Sequence, residues 1–412
     1  MPAFGVLSIS GAGHLNPLFS LSRQLTTRGH TVTFFHRPEL ADHMHSNGMA
    51  FVPVGAKASV IQRKQGPAGE FAELRYRLRR TADEMEMFLR EAPPAIRGAR
   101  IDALILDEVA LAGPSIAEIL GLPYFVISTS VPHRFGWSAP RRITPTLSWT
   151  GRLQKHFLEI SIHRMRGPVL FHLNRLRRNA GLRPVRQMQP MSTELAHLTQ
   201  LPQCLDFPRG DLPQNFHYTG PFVDQAARPH VDFPWDRLDG RPIIYASLGT
   251  TLRGDVSTFH AITAACDGLD LQLVISLGSR RNSEMFRDLA GAPLVVQKAP
   301  QLDLLKRAAA IITHAGSNTV LEALMYGKPM IAIPCAFDQP AMAARLEWLG
   351  AAEVLSVSKL APEEIRAAII KILNDDRYRN NAMELQKKII AARGLERAAD
   401  LIEDALTLRR SL

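Results

Sequence analysis

An α/β fold of parallel strands, arranged as two successive doubly wound halves, is what the sequence predicts. Three observations point to it. Short apolar runs alternate with amphipathic stretches through the first half of the chain. The alternation breaks off in the stretch 201–242, which carries Pro202, Pro208, Pro213, Pro221, Pro229, Pro234 and Pro242, and then restarts. Each half opens in the same way, with a strand, a glycine-containing loop and a helix. Strands separated by helices indicate βαβ units, and right-handed crossovers then build an open sheet.

Residues 4–10 (FGVLSIS) read as a buried first strand, and 16–28 as a helix with Leu18, Leu21 and Leu25 on one face. Gly29-His30 turns the chain into a strand at 31–36. Residues 102–106 form a continuous apolar strand, 112–120 a helix, and Gly121-Leu122-Pro123 leads into a strand at 124–128. After the proline-rich stretch come a strand at 242–247, the loop Gly249-Thr250-Thr251 and a helix from about Val256. Residues 271–276 and 311–313 read as strands, 319–326 as a helix and 330–334 as a strand. Residues 362–412 read as helices, with breaks near 374–376 and Gly394. The expected division is a first domain over 1–205, a connection over 206–240 and a second domain over 241–412.

Composition narrows the function. With 412 residues, 46% hydrophobic and 21% charged, the chain can build large cores. It has no apolar run long enough to cross a bilayer and no basic, then apolar, leader at its start. Cys204, Cys266 and Cys335 are far apart, odd in number and without metal-ligand spacing. They are expected to be reduced thiols of a cytoplasmic protein.

The net charge of +10 is concentrated in 134–186, where twelve Arg or Lys residues face Glu159 as the only acid. Leu153, Phe157, Ile160, Ile162 and 170–173 accompany them. Two readings stand: a helix lying on an anionic membrane surface, and a helix with a solvated basic face over a core-facing apolar stripe. No motif interleaves aromatic and basic residues, so nucleic acid is not an expected partner.

The first loop, Gly11-Ala12-Gly13-His14-Leu15-Asn16-Pro17, follows the first strand. Its glycines allow close approach of a ligand to the backbone, and the helix start offers N–H groups. A dinucleotide fingerprint would need a third glycine where Asn16 stands, although Glu39 could serve a ribose. His14 falls beyond the carboxyl end of the sheet, where open α/β sheets bind ligands and an imidazole can act as general base. It could equally be a polar loop histidine. Asp107, ending the strand of 102–106, falls at the same edge. A carboxylate there fixes the imidazole tautomer and stabilises the imidazolium. Otherwise Asp107 caps the next helix. Asp102 lies at the far edge.

A second constellation lies in the other half. His314-Ala315-Gly316-Ser317-Asn318-Thr319 joins a strand to a helix, with Glu322 one turn further on. Histidine, hydroxyls and helix-start N–H groups suit a pyrophosphate without a metal. Glu322 can take two ribose hydroxyls. Asp338-Gln339 opens another helix at the same edge, an acceptor beside an amide that suits sugar hydroxyls. The plainer alternative is helix capping by Ser317 and Asp338.

His314-x-Gly316-x-Asn318-Thr319-x-x-Glu322 with Asp338-Gln339 resembles the nucleotide-sugar signature of the UDP-glycosyltransferases. Gly11 to Pro17 resembles that family's first loop, and Tyr245-Ala246-Ser247-Leu248-Gly249-Thr250 its donor-domain loop. Within the family, 205–209 (LDFPR), His217-x-x-Gly220-Pro221, 246–250 and 336–340 (AFDQP) are similar to carotenoid glucosyltransferases. The resemblance covers nearly the whole chain. It implies the GT-B architecture, two Rossmann-like domains facing across a cleft, with the last helices packing back on the first domain.

The resemblance also implies His14 as catalytic base and Asp107 as its partner. The implied donor set is Ser247, Gly249, Thr250, Lys298, Ala299, Gln301, His314, Gly316, Ser317, Asn318, Thr319, Glu322, Asp338 and Gln339. UDP-glucose is the implied co-substrate and a lipophilic hydroxylated molecule the acceptor, with inversion and without metal or cofactor. Two departures stand out. Lys298 occupies the place of a tryptophan that stacks on uracil in the plant form. Two residues are missing between Gln301 and His314, with Arg307 replacing a histidine. A UDP-sugar epimerase, a non-catalytic nucleotide-sugar sensor and, on the first loop alone, a nicotinamide or flavin oxidoreductase remain as alternatives.

Overall fold

The computed structural model describes residues 1–55, 70–132, 167–186, 195–210, 212–225, 228, 230–249, 256–278, 286, 289–357 and 360–410. Two parallel sheets organise them. The first uses β1 (Ala3–Leu7), β2 (Thr31–His36), β3 (Ala50–Pro53), β4 (Ala103–Asp107), β5 (Tyr124–Ser128), β6 (Ala196–Thr199) and β7 (Phe216–Tyr218), in the order β3-β2-β1-β4-β5-β6-β7. The second uses β8 (Ile243–Ser247), β9 (Gln272–Ser276), β10 (Leu294–Val296), β11 (Ala308–Thr313), β12 (Met330–Ala332) and β13 (Ala352–Val354), in the order β10-β9-β8-β11-β12-β13.

Helices cover both faces of each sheet, which is why the central strands are apolar throughout rather than alternating. In the first domain, α1 (Ala12–Thr27), α2 (Ala41–Ser46) and α12 (Gly394–Arg410) close one core, where Leu18, Leu21 and Leu25 meet Ile402 and Leu406. On the other face, α3 (Glu70–Gly98), α4 (Gly113–Leu120) and α5 (167–179) bring in Phe88, Ile116 and Leu173. In the second domain, α6 (Val256–Cys266) and α10 (Pro362–Asn374) lie on one face. The opposite core is built by α7 (Gln301–Arg307), α8 (Ser317–Met325), α9 (Gln339–Trp348) and α11 (Asp376–Ala391).

The last helix returns to the first domain. Besides its apolar face, Arg28 reaches Asp400 at 2.7 Å and Glu403 at 2.8 Å, and His30 reaches Glu403 at 2.9 Å.

Several boundaries differ from the sequence expectation. The first strand ends at Leu7, and α1 starts at Ala12, so His14 stands in the first helical turn rather than in a loop. β11 begins at Ala308, because alanines bury as readily in a covered strand as larger residues do. The stretch 206–240, expected as a connection, contains β7, which pairs with β6 and extends the first sheet. The Phe-His-Tyr run escapes the prolines around it and keeps its backbone donors. Among the described residues, no helix is long and apolar enough to cross a membrane.

Both sheets reverse strand order once, between β1 and β4 in the first and between β8 and β11 in the second. The crevice at such a reversal is where an open sheet receives a ligand. The carboxyl ends of β1, β4, β8 and β11 lead to this crevice, with His14 in the first turn of α1, Asp107 ending β4, and Gly249 and His314 in the loops after β8 and β11.

Candidate active site

The β1/β4 reversal brings together the first pair of expected residues. His14 Nδ1 lies 2.9 Å from Asp107 Oδ2, and Thr129 Oγ1, just beyond β5, lies 2.9 Å from the same nitrogen. Asp107 is buried, and its other oxygen accepts from the Val109 backbone N–H at 3.3 Å. The His14 side chain is 24% exposed, so Nδ1 is held from below while part of the ring reaches solvent. Burial opposes protonation of His14. The Asp107 carboxylate, helped by Asp338 and Glu108, outweighs burial and holds the imidazole above its ordinary value of 6.5.

A second histidine ends β2 at the same edge. Burial, aided by Arg37, pushes His36 down to about 4, so it stays neutral at working pH.

The donor-side loops meet at the β8/β11 reversal. The His314 ring lies between Gly249 and Gly316. A Cβ at Gly249 would come within 2.7 Å of His314 Nε2, and one at Gly316 would come closer still. Gly249 also has a φ of +74°, which a glycine adopts without strain. The two glycines therefore make the space that the imidazole fills. Ser317 Oγ donates to Asp338 Oδ2 at 2.5 Å, joining the starts of α8 and α9. Gln339 Oε1 accepts from the backbone N–H groups of Cys335 and Ala336, both at 2.9 Å. That leaves the amide hydrogens of Gln339 and one oxygen of Asp338 to read hydroxyls.

Glu322 is buried and accepts from Gln301 Nε2 at 2.6 Å and from Arg228. Gln301 in turn accepts from Tyr245 Oη at 3.2 Å. Both carboxylate oxygens are thus oriented by donors. Asn318 reaches across to the first domain, donating from Nδ2 to Gly13 O at 2.7 Å. Lys298 is exposed; burial, and then the charge of Lys298, hold His43, on α2, below its ordinary value. Ser247 ends β8, Thr319 is half-buried in the first turn of α8, and Ala299 packs against the second domain's core. Thr250 lies outside the described residues.

The basic stretch 134–186 is described only from 167 onward. There α5 turns Val169, Leu173 and Leu176 into the core and leaves Arg175, Arg178 and Phe171, 70% exposed, outside. Arg177 is instead buried, donating to Ser115 Oγ at 2.8 Å, Glu118 Oε2 at 2.7 Å and Arg183 O at 2.8 Å. It pins α5 to α4.

Sequence reasoning missed Thr129, Gln200 and Arg228. Thr129 follows a strand it had placed correctly, and its position one residue past the sheet edge was the available signal. Nothing local distinguishes Gln200 or Arg228, whose partners are about a hundred residues away along the chain.

Known proteins share this fold and much of the sequence. The family described as UDP-glucoronosyl and UDP-glucosyl transferase matches residues 87–396. A zeaxanthin glucosyltransferase from Pseudescherichia vulneris is 30% identical, with 98% of both chains covered. One from Pantoea ananas is 29% identical, covering 98% of this chain and 96% of its own. Among solved structures, the calicheamicin glycosyltransferase CalG4 superposes with a TM-score of 0.77 at 23% identity, covering 98% of each chain. The glycotransferase of kitacinnamycin superposes with a TM-score of 0.77 at 24% identity, over 98% of this chain and all of the other. With the fold, the paired switch-point loops and these matches in agreement, the chain belongs to the UDP-glucuronosyl and UDP-glucosyl transferase family and is a glycosyltransferase.

Proposed function

We propose that the enzyme moves glucose from UDP-glucose to a hydroxyl of a lipophilic acceptor of the carotenoid, terpenoid, polyketide or flavonoid kind, with inversion and without a metal. The observation that carries the proposal is the pairing of His14 with Asp107 and Thr129 through Nδ1 alone. The second ring nitrogen, Nε2, is then the atom available to a substrate. It takes the proton of the acceptor hydroxyl. The acceptor oxygen bonds to the anomeric carbon as the bond from that carbon to the diphosphate oxygen breaks, and UDP leaves. Attack opposite the leaving group inverts the anomeric centre.

His314, Ser317, Thr319, Thr250 and the α8 N-terminus stabilise the charge gathering on the diphosphate. Asn318 and the loop residues Ser247 and Gly249 complete the phosphate cradle. Glu322 takes the ribose hydroxyls. Gln301, Ala299 and the stem of Lys298 hold the base. Asp338 and Gln339 read the sugar. Among the described residues, no three of His, Cys, Asp and Glu gather as metal ligands. The carotenoid acceptor rests on the names of the two zeaxanthin glucosyltransferases.

The test is mass-spectrometric product detection with UDP-glucose and a panel holding zeaxanthin, sterols, flavonoids and macrolides. Wild type and His14→Ala are run in chelator. A hexose adduct from wild type that disappears in the mutant is the expected result. UDP-galactose formed from UDP-glucose without acceptor would favour an epimerase. Donor binding with no product on any acceptor would favour a sensor.

The exposed face of α5, with Phe171 beside Arg175 and Arg178, also supports peripheral contact with an anionic membrane, where a lipid-dissolved acceptor resides. Failure to sediment with anionic liposomes at low salt would end that idea.

A further inference from the structure

One buried side chain outside the expected site joins the two halves of it. Gln200, one residue past β6, is only 1% exposed. Its backbone N–H already meets Ser128 O at 3.2 Å, so the strand pairing does not need its side chain. The side-chain carbonyl accepts from Phe222 N at 3.4 Å. The two amide hydrogens go elsewhere. One reaches Thr129 O, and the other reaches Asn318 Oδ1 in the second domain at 2.6 Å.

These contacts close a ring. Asn318 Nδ2 holds Gly13 O, the carbonyl just before His14. The His14 Nδ1 atom meets Thr129 Oγ1. Thr129 O meets Gln200, and Gln200 returns to Asn318. Beneath the ring, Ser128 is held from the other side, donating to Glu108 Oε2 at 2.7 Å and lying 2.6 Å from His197 Nε2. Thr129, whose hydroxyl meets His14, thus follows a residue fixed by its own domain, and its own carbonyl is bound by the amide that leads to Asn318.

We propose that Gln200 is a positioning residue that couples the donor loop to the catalytic base. It holds Thr129, and through it His14, in register with the donor domain by way of Asn318. A residue that only filled the core would have no use for a hydrogen on the other domain. The proposal rests on His14 being the base. Misplacing a catalytic group by about 1 Å can cost on the order of a hundredfold in rate. Because Gln200 is buried and its side-chain polar atoms are taken by Thr129, Asn318 and Phe222, its loss should appear in kcat and not in donor affinity.

The experiment compares wild type, Gln200→Met, Asn318→Ala and the double variant. It measures kcat at saturating UDP-glucose on an acceptor from the panel above, and the donor Kd by calorimetry. Gln200→Met is expected to lose between about ten- and a hundredfold in kcat while the donor Kd stays within about threefold. The double variant should lose less than the product of the two single losses, since both break one ring. An unchanged kcat, a loss confined to Kd, or multiplicative losses would overturn the proposal. Should Gln200→Met fail to fold, Gln200→Glu carries the same test, because it keeps the length and the acceptor for Phe222 N; retained kcat there overturns the proposal too. His14→Ala, run in parallel, separates the two readings. If it keeps transfer, the base assignment fails and this proposal with it. If it abolishes transfer while Gln200→Met keeps kcat, only the coupling fails.

Discussion

His14 is tuned by two opposing forces, and they can be separated by mutation. Burial disfavours the imidazolium, and Asp107 favours it. A base must be neutral to accept a proton. In the wild type, transfer should therefore fall as pH drops through a value above 6.5. In Asp107→Asn, burial is opposed only by the lesser pull of Asp338 and Glu108, so that limb of the kcat/KM profile moves to lower pH. The rate at its plateau nevertheless falls by at least about a hundredfold, because the imidazolium forming in the transition state loses its counter-charge. A limb that stays in place would remove Asp107 from this role. At the donor loop, Gly316→Ala has an ordinary backbone angle to adopt but pushes its methyl into His314. UDP-glucose affinity measured by calorimetry should weaken about tenfold, equivalent to about 1.4 kcal/mol, while the thermal midpoint barely moves.

At the scale of elements, the segment after β6 is locked to α9 by a buried charge cluster. Asp206 Oδ1 accepts from Arg345 Nε at 2.9 Å and Nη2 at 2.6 Å, and Oδ2 accepts from Arg209 Nε at 2.9 Å and Tyr218 Oη at 2.7 Å. The Arg345 guanidinium lies 4.6 Å above the Phe207 ring and is fully buried. Since α9 begins at Gln339, the cluster also sets where Asp338 and Gln339 stand. Asp206→Ala leaves that arginine buried without its counter-charge and should cost about 3–5 kcal/mol in chemical denaturation. Burial opposes ionisation of Asp206, but Arg345 and Arg209 outweigh it and hold the carboxyl below 3.8. Its stabilisation is therefore full above about pH 4, the unfolded value, and is lost as pH falls through the lower folded value. Asp206→Ala should flatten the acid arm of the stability curve. The LDFPR run is thus legible as a motif in the sequence, but its partner Arg345 is not.

Over the whole molecule, the chain crosses itself where its two ends of function meet. A Cβ on Gly394 would lie 2.5 Å from Pro221 O and 2.6 Å from Gly220 C, so the start of α12 meets the connection leaving the first domain backbone to backbone at this point. Both contacts are backbone and cannot turn aside. Gly394→Ala should cost about 1–3 kcal/mol, seen as a lower thermal midpoint and weaker packing of α12 on α1. Gly98→Ala, with nothing within 4 Å, serves as the control and should leave the midpoint unchanged or raise it. Equal effects from the two would mean that the crossing is looser than it looks.

Local pattern in the sequence was enough for the alternation of strands and helices, the repeated plan of the two halves and the strand ends, loops and helix starts that carry His14, Asp107, Gly249, His314, Glu322 and Asp338. Those features are local: apolar periodicity, glycine where backbones must come close, and polar residues at strand ends all act within a few positions. Only the folded chain shows that Thr129 shares Nδ1 of His14, that Arg228 and Gln301 orient Glu322, and that Gln200 and Asn318 bridge the domains. Each of these joins residues far apart along the chain. Their meeting depends on strand order and domain packing, which no local pattern encodes.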